Sequence, residues 1–136
     1  MFRKGMILIL LTAFFAISGC SIFDKEIKIT DAKIVTGVDE KLMPVKILDI
    51  FPKDTSSVSC WFQWRDAKIS AMIVAKWHYV TDDVHILDYN FTIPKKEGMG
   101  SVMLSMPEGK VLPSGSYKVE LFSGKRLIRS LAFKVQ

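Results

Sequence analysis

The sequence predicts an all-β fold, a two-sheet sandwich of seven to eight antiparallel strands. Three observations predict it. Apolar and polar residues alternate with period two over several stretches, most clearly from Lys68 to Tyr79. All five prolines, and the glycines from Gly37 to Gly124, are expected between the apolar runs, where they interrupt ladders. Beyond residue 20, no segment sustains a helical period. With 136 residues, 49% of them apolar and 24% charged, the chain suits one domain and is too apolar to stay disordered. Two cysteines are too few for a disulfide-built miniprotein. The single long apolar run, at the very start, excludes a polytopic membrane protein.

That run opens the chain. Arg3 and Lys4 form a positive region ahead of the apolar stretch Met6 to Ile17, which is shorter than the roughly 20 residues a spanning helix needs. It ends in Ile17-Ser18-Gly19-Cys20: an aliphatic residue, two small residues, then cysteine. This ending resembles the lipobox of bacterial lipoproteins, with isoleucine where leucine is commoner. The resemblance implies that residues 1–19 are a signal peptide that is removed. It further implies that Cys20 carries an S-diacylglycerol and an N-acyl group, and that 20–26 is a tether. More than two acyl chains suffice for stable membrane attachment without a transmembrane helix. The expected location is the bacterial cell envelope, and the outer membrane where a cell has two. Loss of Arg3 and Lys4 lowers the net charge of +5 by two units.

The domain is expected over 27–136, with strands at Ile27–Val35, Val45–Ile50, Val58–Trp64 and Lys68–Tyr79, then Val84–Ile93 and Ser101–Met106. Two more follow, one around Tyr117, Val119 and Leu121 and one ending with Leu131, Phe133 and Val135. Val58, Cys60, Phe62 and Trp64 share one face of their strand. Ile69, Ala71, Ile73, Ala75, Trp77 and Tyr79 share the buried face of theirs, which makes Trp77 a core residue. Ser123-Gly124 reads as a tight hairpin turn.

Four pieces then carry a second likeness: Phe51-Pro52, Ala75-Lys76-Trp77-His78-Tyr79, Pro113-Ser114-Gly115-Ser116-Tyr117 and Phe133-Lys134-Val135. From Phe51 onward the chain resembles the immunoglobulin-like sandwiches of bacterial surface and secreted proteins. Tyr117 resembles the tyrosine corner of such domains. Cys60 stands where antibody-type domains place their first inter-sheet cysteine, but Val119 lies two residues after Tyr117, so that bridge cannot form. With Cys20 lipidated, Cys60 is expected to be a buried, unreactive thiol; an intermolecular disulfide or redox role is the sharper alternative.

Residue types able to do chemistry gather locally only in His78-Tyr79-Val80-Thr81-Asp82-Asp83-Val84-His85. Two histidines across a hairpin, with Asp82 or Asp83, have the makings of a metal site. Strand parity argues otherwise. If the odd-numbered apolar residues Leu87, Tyr89, Phe91 and Ile93 face those of the preceding strand, the loop is odd-numbered, such as Thr81-Asp82-Asp83. His85 then faces inward, His78 outward, and no metal is expected. Met99, Met103 and Met106 suit Cu(I) chemically, but Met103 and Met106 have opposite parity, and core packing is the better expectation. Asp82, Asp83, Asp88, Glu97 and Glu108 show no spacing that selects an acid–base pair. Neither a nucleophile elbow nor a phosphate-binding glycine loop is present.

The basic doublets Lys95-Lys96 and Lys125-Arg126 fall at expected turns. They read first as solvated loops and second as contacts to anionic lipid or polysaccharide. No basic stripe with interleaved aromatics suggests nucleic acid as a partner. The expected function is that of a lipid-anchored, non-enzymatic envelope protein without cofactor, binding or supporting another envelope component through a protein partner. The alternative is an envelope enzyme or metal-handling protein using the His78–His85 turn.

Overall fold

The computed structural model describes residues 26–136; the expected signal peptide, Cys20 and most of the expected tether lie outside the described residues. Among the described residues nine strands follow in order: β1 (Lys28–Val38), β2 (Pro44–Ile47), β3 (Ile50–Phe51), β4 (Ser57–Arg65), β5 (Met72–Tyr79), β6 (Val84–Thr92), β7 (Gly98–Ser105), β8 (Gly115–Ser123) and β9 (Arg126–Val135). They form a four-stranded sheet, β2-β1-β4-β7, and a five-stranded sheet, β3-β9-β8-β5-β6. The expected all-β sandwich is therefore present. The count exceeds eight because the region expected as one strand, Val45–Ile50, splits between the sheets. Lys46 there holds a left-handed φ of 49°, and β3 turns to pair with β9 in parallel, the one departure from antiparallel pairing.

The core lies between the sheets. Val58, Cys60, Phe62 and Trp64 of β4 meet Ile73, Ala75 and Trp77 of β5, all buried as their parity requires. Phe133 of β9 sits in an aromatic cluster with Tyr117, Phe51 and Trp77 at centroid distances of 4.9, 5.7 and 6.2 Å. A second cluster is centred on Phe91 of β6, 5.1 Å from Phe62 and 5.7 Å from Trp64. Burying such rings removes the largest apolar areas from water, at about 25 cal/mol per Å². Tyr117 is a tyrosine corner in geometry too: its hydroxyl donates to the Pro113 carbonyl four residues back.

Several expectations are corrected. Gly37, Gly98, Gly100 and Gly115 lie inside strands and not between them. At Gly100 the reason is a close approach, because a Cβ there would sit 2.5 Å from the Phe91 ring. Ile69 is 65% exposed, since β5 begins only at Met72. Met103 is 54% exposed and is no core residue. The final hairpin turns on Gly124-Lys125, one residue later than expected, with Ser123 paired to Arg126 and Gly124 at φ 62° in the first central position.

Candidate functional site

The histidine turn is rearranged relative to its expected geometry. Tyr79 pairs with Val84, so the loop is the four-residue Val80–Asp83, and a bulge opposite Trp77/His78 adds Ile86. Loop and bulge together shift the register by an odd number, which restores Trp77 opposite Leu87, Ala75 opposite Tyr89 and Ile73 opposite Phe91. His85 lies between turn and bulge, and there the parity fails. It pairs directly with His78, so both imidazoles occupy the outer face of the sheet.

Each imidazole takes its own carboxylate. His78 Nε2 lies 2.9 Å from Asp83 Oδ1, and His85 Nε2 lies 3.2 Å from Asp88 Oδ1. Asp83 is almost fully exposed and sits at φ 53°, so the pairing is a contact at the surface of the turn. Such pairs contribute little, about 0–1 kcal/mol. Asp82 joins neither pair. Among the described residues, no three His, Cys, Asp or Glu side chains converge as a metal would need. Met99 and Met106 are half-buried and Met103 faces solvent. Glu97 and Glu108 lie in loops at opposite ends of the sandwich, as the register of β4 with β7 requires.

Cys60 is fully buried on the inward face of β4. Burial pushes its thiol up to about 12, against a lesser opposing pull from the Arg129 charge. At neutral pH it is therefore a protonated, shielded thiol, which opposes the redox alternative.

Two surface features stand out that sequence reasoning did not locate. The first is an apolar strip along β2 and β3. Leu42, Met43, Val45, Ile47 and Ile50 are each 44–56% exposed within nine residues of chain. Shallow grooves of about 510 Å³ flank it, one beside Ile47 and Leu48, the other beside Ile50 and Val80. Pro44, Lys46 and the shortness of β2 blunt this edge against strand addition, so the side chains are what it offers.

The second feature is the end of the sandwich where the chain enters. Lys28 opens β1 and is paired with Arg65 at the close of β4. The β4–β5 loop carries Lys68, the β6–β7 loop carries Lys95-Lys96, and the β8–β9 turn carries Lys125 next to Arg126. Antiparallel registers, with Trp64 opposite Gly98, Met72 opposite Thr92 and Ile73 opposite Ser123, bring all these loops to one end. The seven basic side chains are exposed, against Glu26, Asp66 and Glu97. Asp66 meets Lys28 at 3.7 Å and Arg65 at 3.9 Å, and Glu26 meets Arg126 at 3.4 Å. Lys68, Lys95, Lys96 and Lys125 pair with no acidic group among the described residues. A groove of about 680 Å³ runs between Glu26, Lys68, Lys125 and Arg126.

The tip of this end is built to hold Ile69 outward. Ala71 N–H donates to Lys68 O at 3.0 Å, closing a turn with Ile69 and Ser70 at its centre, and Ser70 takes φ 73°. Ala67 N–H donates to Lys96 O and Ser70 N–H to Ile93 O, at 3.0 and 2.9 Å, which ties the loop to its neighbour. The opposite end has the reverse charge: Asp39, Glu40, Asp54, Asp82, Asp83 and Glu108 outnumber Lys41, Lys53 and Lys110.

No family model matches this sequence, and no curated protein matches it. Solved structures do. An immunoglobulin-like protein from Pseudomonas aeruginosa matches with a TM-score of 0.58 at 13% identity, over 84% of this chain and 99% of that one. Part of the alkylpurine DNA glycosylase AlkC of Pseudomonas fluorescens, in a structure bound to DNA containing an abasic site analog, matches with a TM-score of 0.52 at 11% identity. That match covers 82% of this chain and 30% of the glycosylase. At such identities the likeness is one of fold, and the fold of this chain is an immunoglobulin-like β-sandwich.

Proposed function

We propose that this protein is a lipid-anchored, non-enzymatic module of the bacterial cell envelope that binds another envelope protein. In a cell with two membranes the outer one is its place. The lipobox-like Ile17-Ser18-Gly19-Cys20 supports the anchor, with Cys20 as the acylated residue. The observation that carries the binding role is the exposed strip Leu42, Met43, Val45, Ile47 and Ile50, clustered on one side of the sandwich. Contiguous exposed apolar side chains of this kind mark interaction surfaces. The placement of the His78–Asp83 and His85–Asp88 pairs on the outer face of the sheet, with both carboxylates exposed, supports the non-enzymatic reading.

A photoreactive residue at position 47 tests the reading in intact cells. It should yield one discrete adduct with a second envelope protein, and that adduct should vanish when Val45→Asp and Ile50→Asp are added. The same residue at position 88, on β6, should yield none. Equal adducts at both positions would defeat the strip as an interface. Lipid labelling that persists in Cys20→Ser would defeat the anchor.

A further inference from the structure

We propose that the cationic end of the sandwich is a docking face for an anionic phospholipid surface, with Ile69 entering the headgroup layer. The inference rests on the lipid-anchored reading and adds how the domain stands on its membrane.

Three independent features coincide at this end. The chain enters the domain here, and Cys20 precedes Glu26 by six residues, a span of at most about 20 Å when fully extended. An acyl group at Cys20 therefore holds this end, and no other, close to the lipid. The end also presents seven exposed basic side chains, four of them with no acidic partner among the described residues. Attraction to an anionic leaflet acts within a Debye length, about 8 Å at physiological salt, so cations matter only where a tether keeps them near. At the far end, acidic side chains outnumber basic ones two to one, which gives the domain a charge asymmetry along the tether direction. An anionic surface attracts the near end and repels the far one.

Ile69 is the third feature. At 65% it is the most exposed of the large apolar side chains, and it projects from a turn held by three backbone hydrogen bonds. Lys68 precedes it, and the Lys95-Lys96 loop is bonded to the same segment. An apolar side chain ringed by cations matches a bilayer interface, where the methylenes meet acyl chains and the ammonium groups meet phosphates. The groove between Lys68, Lys125 and Arg126 offers room for a headgroup beside it.

The test uses the mature lipidated protein in vesicles, with an environment-sensitive fluorophore on Ile69→Cys or, at the far end, on Asp82→Cys. The buried Cys60 thiol is shielded from labelling. In equimolar phosphatidylcholine and phosphatidylglycerol, the label at position 69 should shift to shorter wavelength and be quenched by lipid-borne quenchers. The label at position 82 should do neither. The shift should be lost in pure phosphatidylcholine, at high salt, and in Lys95→Glu/Lys96→Glu/Lys125→Glu. Protein that stays with the vesicles while position 69 gives no shift would overturn the docking face and leave the anchor intact. A shift produced equally by soluble polyphosphate would also overturn it, as a general anion site. Protein that does not stay with the vesicles would overturn the anchor, and the docking face with it.

Discussion

Strands β4 and β6 have the same length and similar alternating sequences, yet their burial is opposite. In β4, Val58, Cys60, Phe62 and Trp64 are buried on one face, and Ser59 and Trp61 are buried on the other. In β6 no residue is fully buried, and Tyr89, opposite the buried Ala75, remains 46% exposed. Alternation states which way a side chain points; cover comes from neighbours. β4 lies between β1 and β7, and its outer face is roofed by the turn after β1, where Trp61 Nε1 donates to Leu42 O at 2.7 Å. β6 has β5 on one side only, and Phe91 alone ties it into an aromatic cluster.

The largest effect should come from β5, the strand that lends β6 its stability. Trp77→Ala removes a fully buried indole and should cost about 3–5 kcal/mol, enough to unfold or severely weaken the domain. His78→Ala beside it should shift the melting temperature little, since it loses a surface pair. A stable Trp77→Ala protein would mean that β5 and β6 carry less of the core than their packing implies.

Next comes alkaline pH, which acts on the inward faces of β4 and β8. Cys60 and Tyr117 are both pushed up to about 12, mainly by burial. Their unfolded forms ionise near 9 and 10, so the stability they lend is complete below pH 9 and drains as pH rises towards 12. Denaturant midpoints should fall across that window by the equivalent of a few kcal/mol, and Cys60→Val should reduce the fall. A flat profile from pH 9 to 12 would contradict the burial of both groups.

Trp61→Phe probes the roof of β4 and should cost about 1 kcal/mol, the net worth of its bond to Leu42 with most of the packing kept. It should also raise hydrogen exchange in the Asp39–Met43 turn. Tyr89→Ala on β6 should be smallest, within about 0.5 kcal/mol by urea unfolding. A Tyr89→Ala cost matching that of Trp61→Phe would erase the contrast between the two strands.

Where local pattern decides, the sequence was readable. The inward sets of β4 and β5, the tyrosine corner and the sandwich itself follow from period, turn residues and the position of Tyr117. Reading stopped where one residue breaks the count. The bulge at Ile86 moved His85 to the face of His78, and the turn at Ser70 left Ile69 outside β5. It stopped again where cover or convergence depends on distant chain. Nothing near Trp61 announces that Leu42 will roof it. Likewise, nothing in Lys95-Lys96 announces that Lys28, Lys68 and Lys125 will arrive at the same end. The proposed anchor at Cys20, by contrast, rests on a contiguous motif outside the described residues.

The parallel pairing of β3 with β9 has a kinetic consequence. β9, the last strand in chain order, lies between β3 and β8, so both wait for it: Ile50 and Phe51 find their partners in Lys134 and Val135. Until β9 emerges, Phe133 is missing from the aromatic cluster it organises, and the five-stranded sheet has a gap between β3 and β8. Closing a loop of such separation delays the reward of the contact until the entropy of closure has been overcome. Folding is therefore late and nearly all-or-none. Truncation within β9 should leave a chain that does not fold partway, since neither β3 nor β8 then finds the partner that joins them.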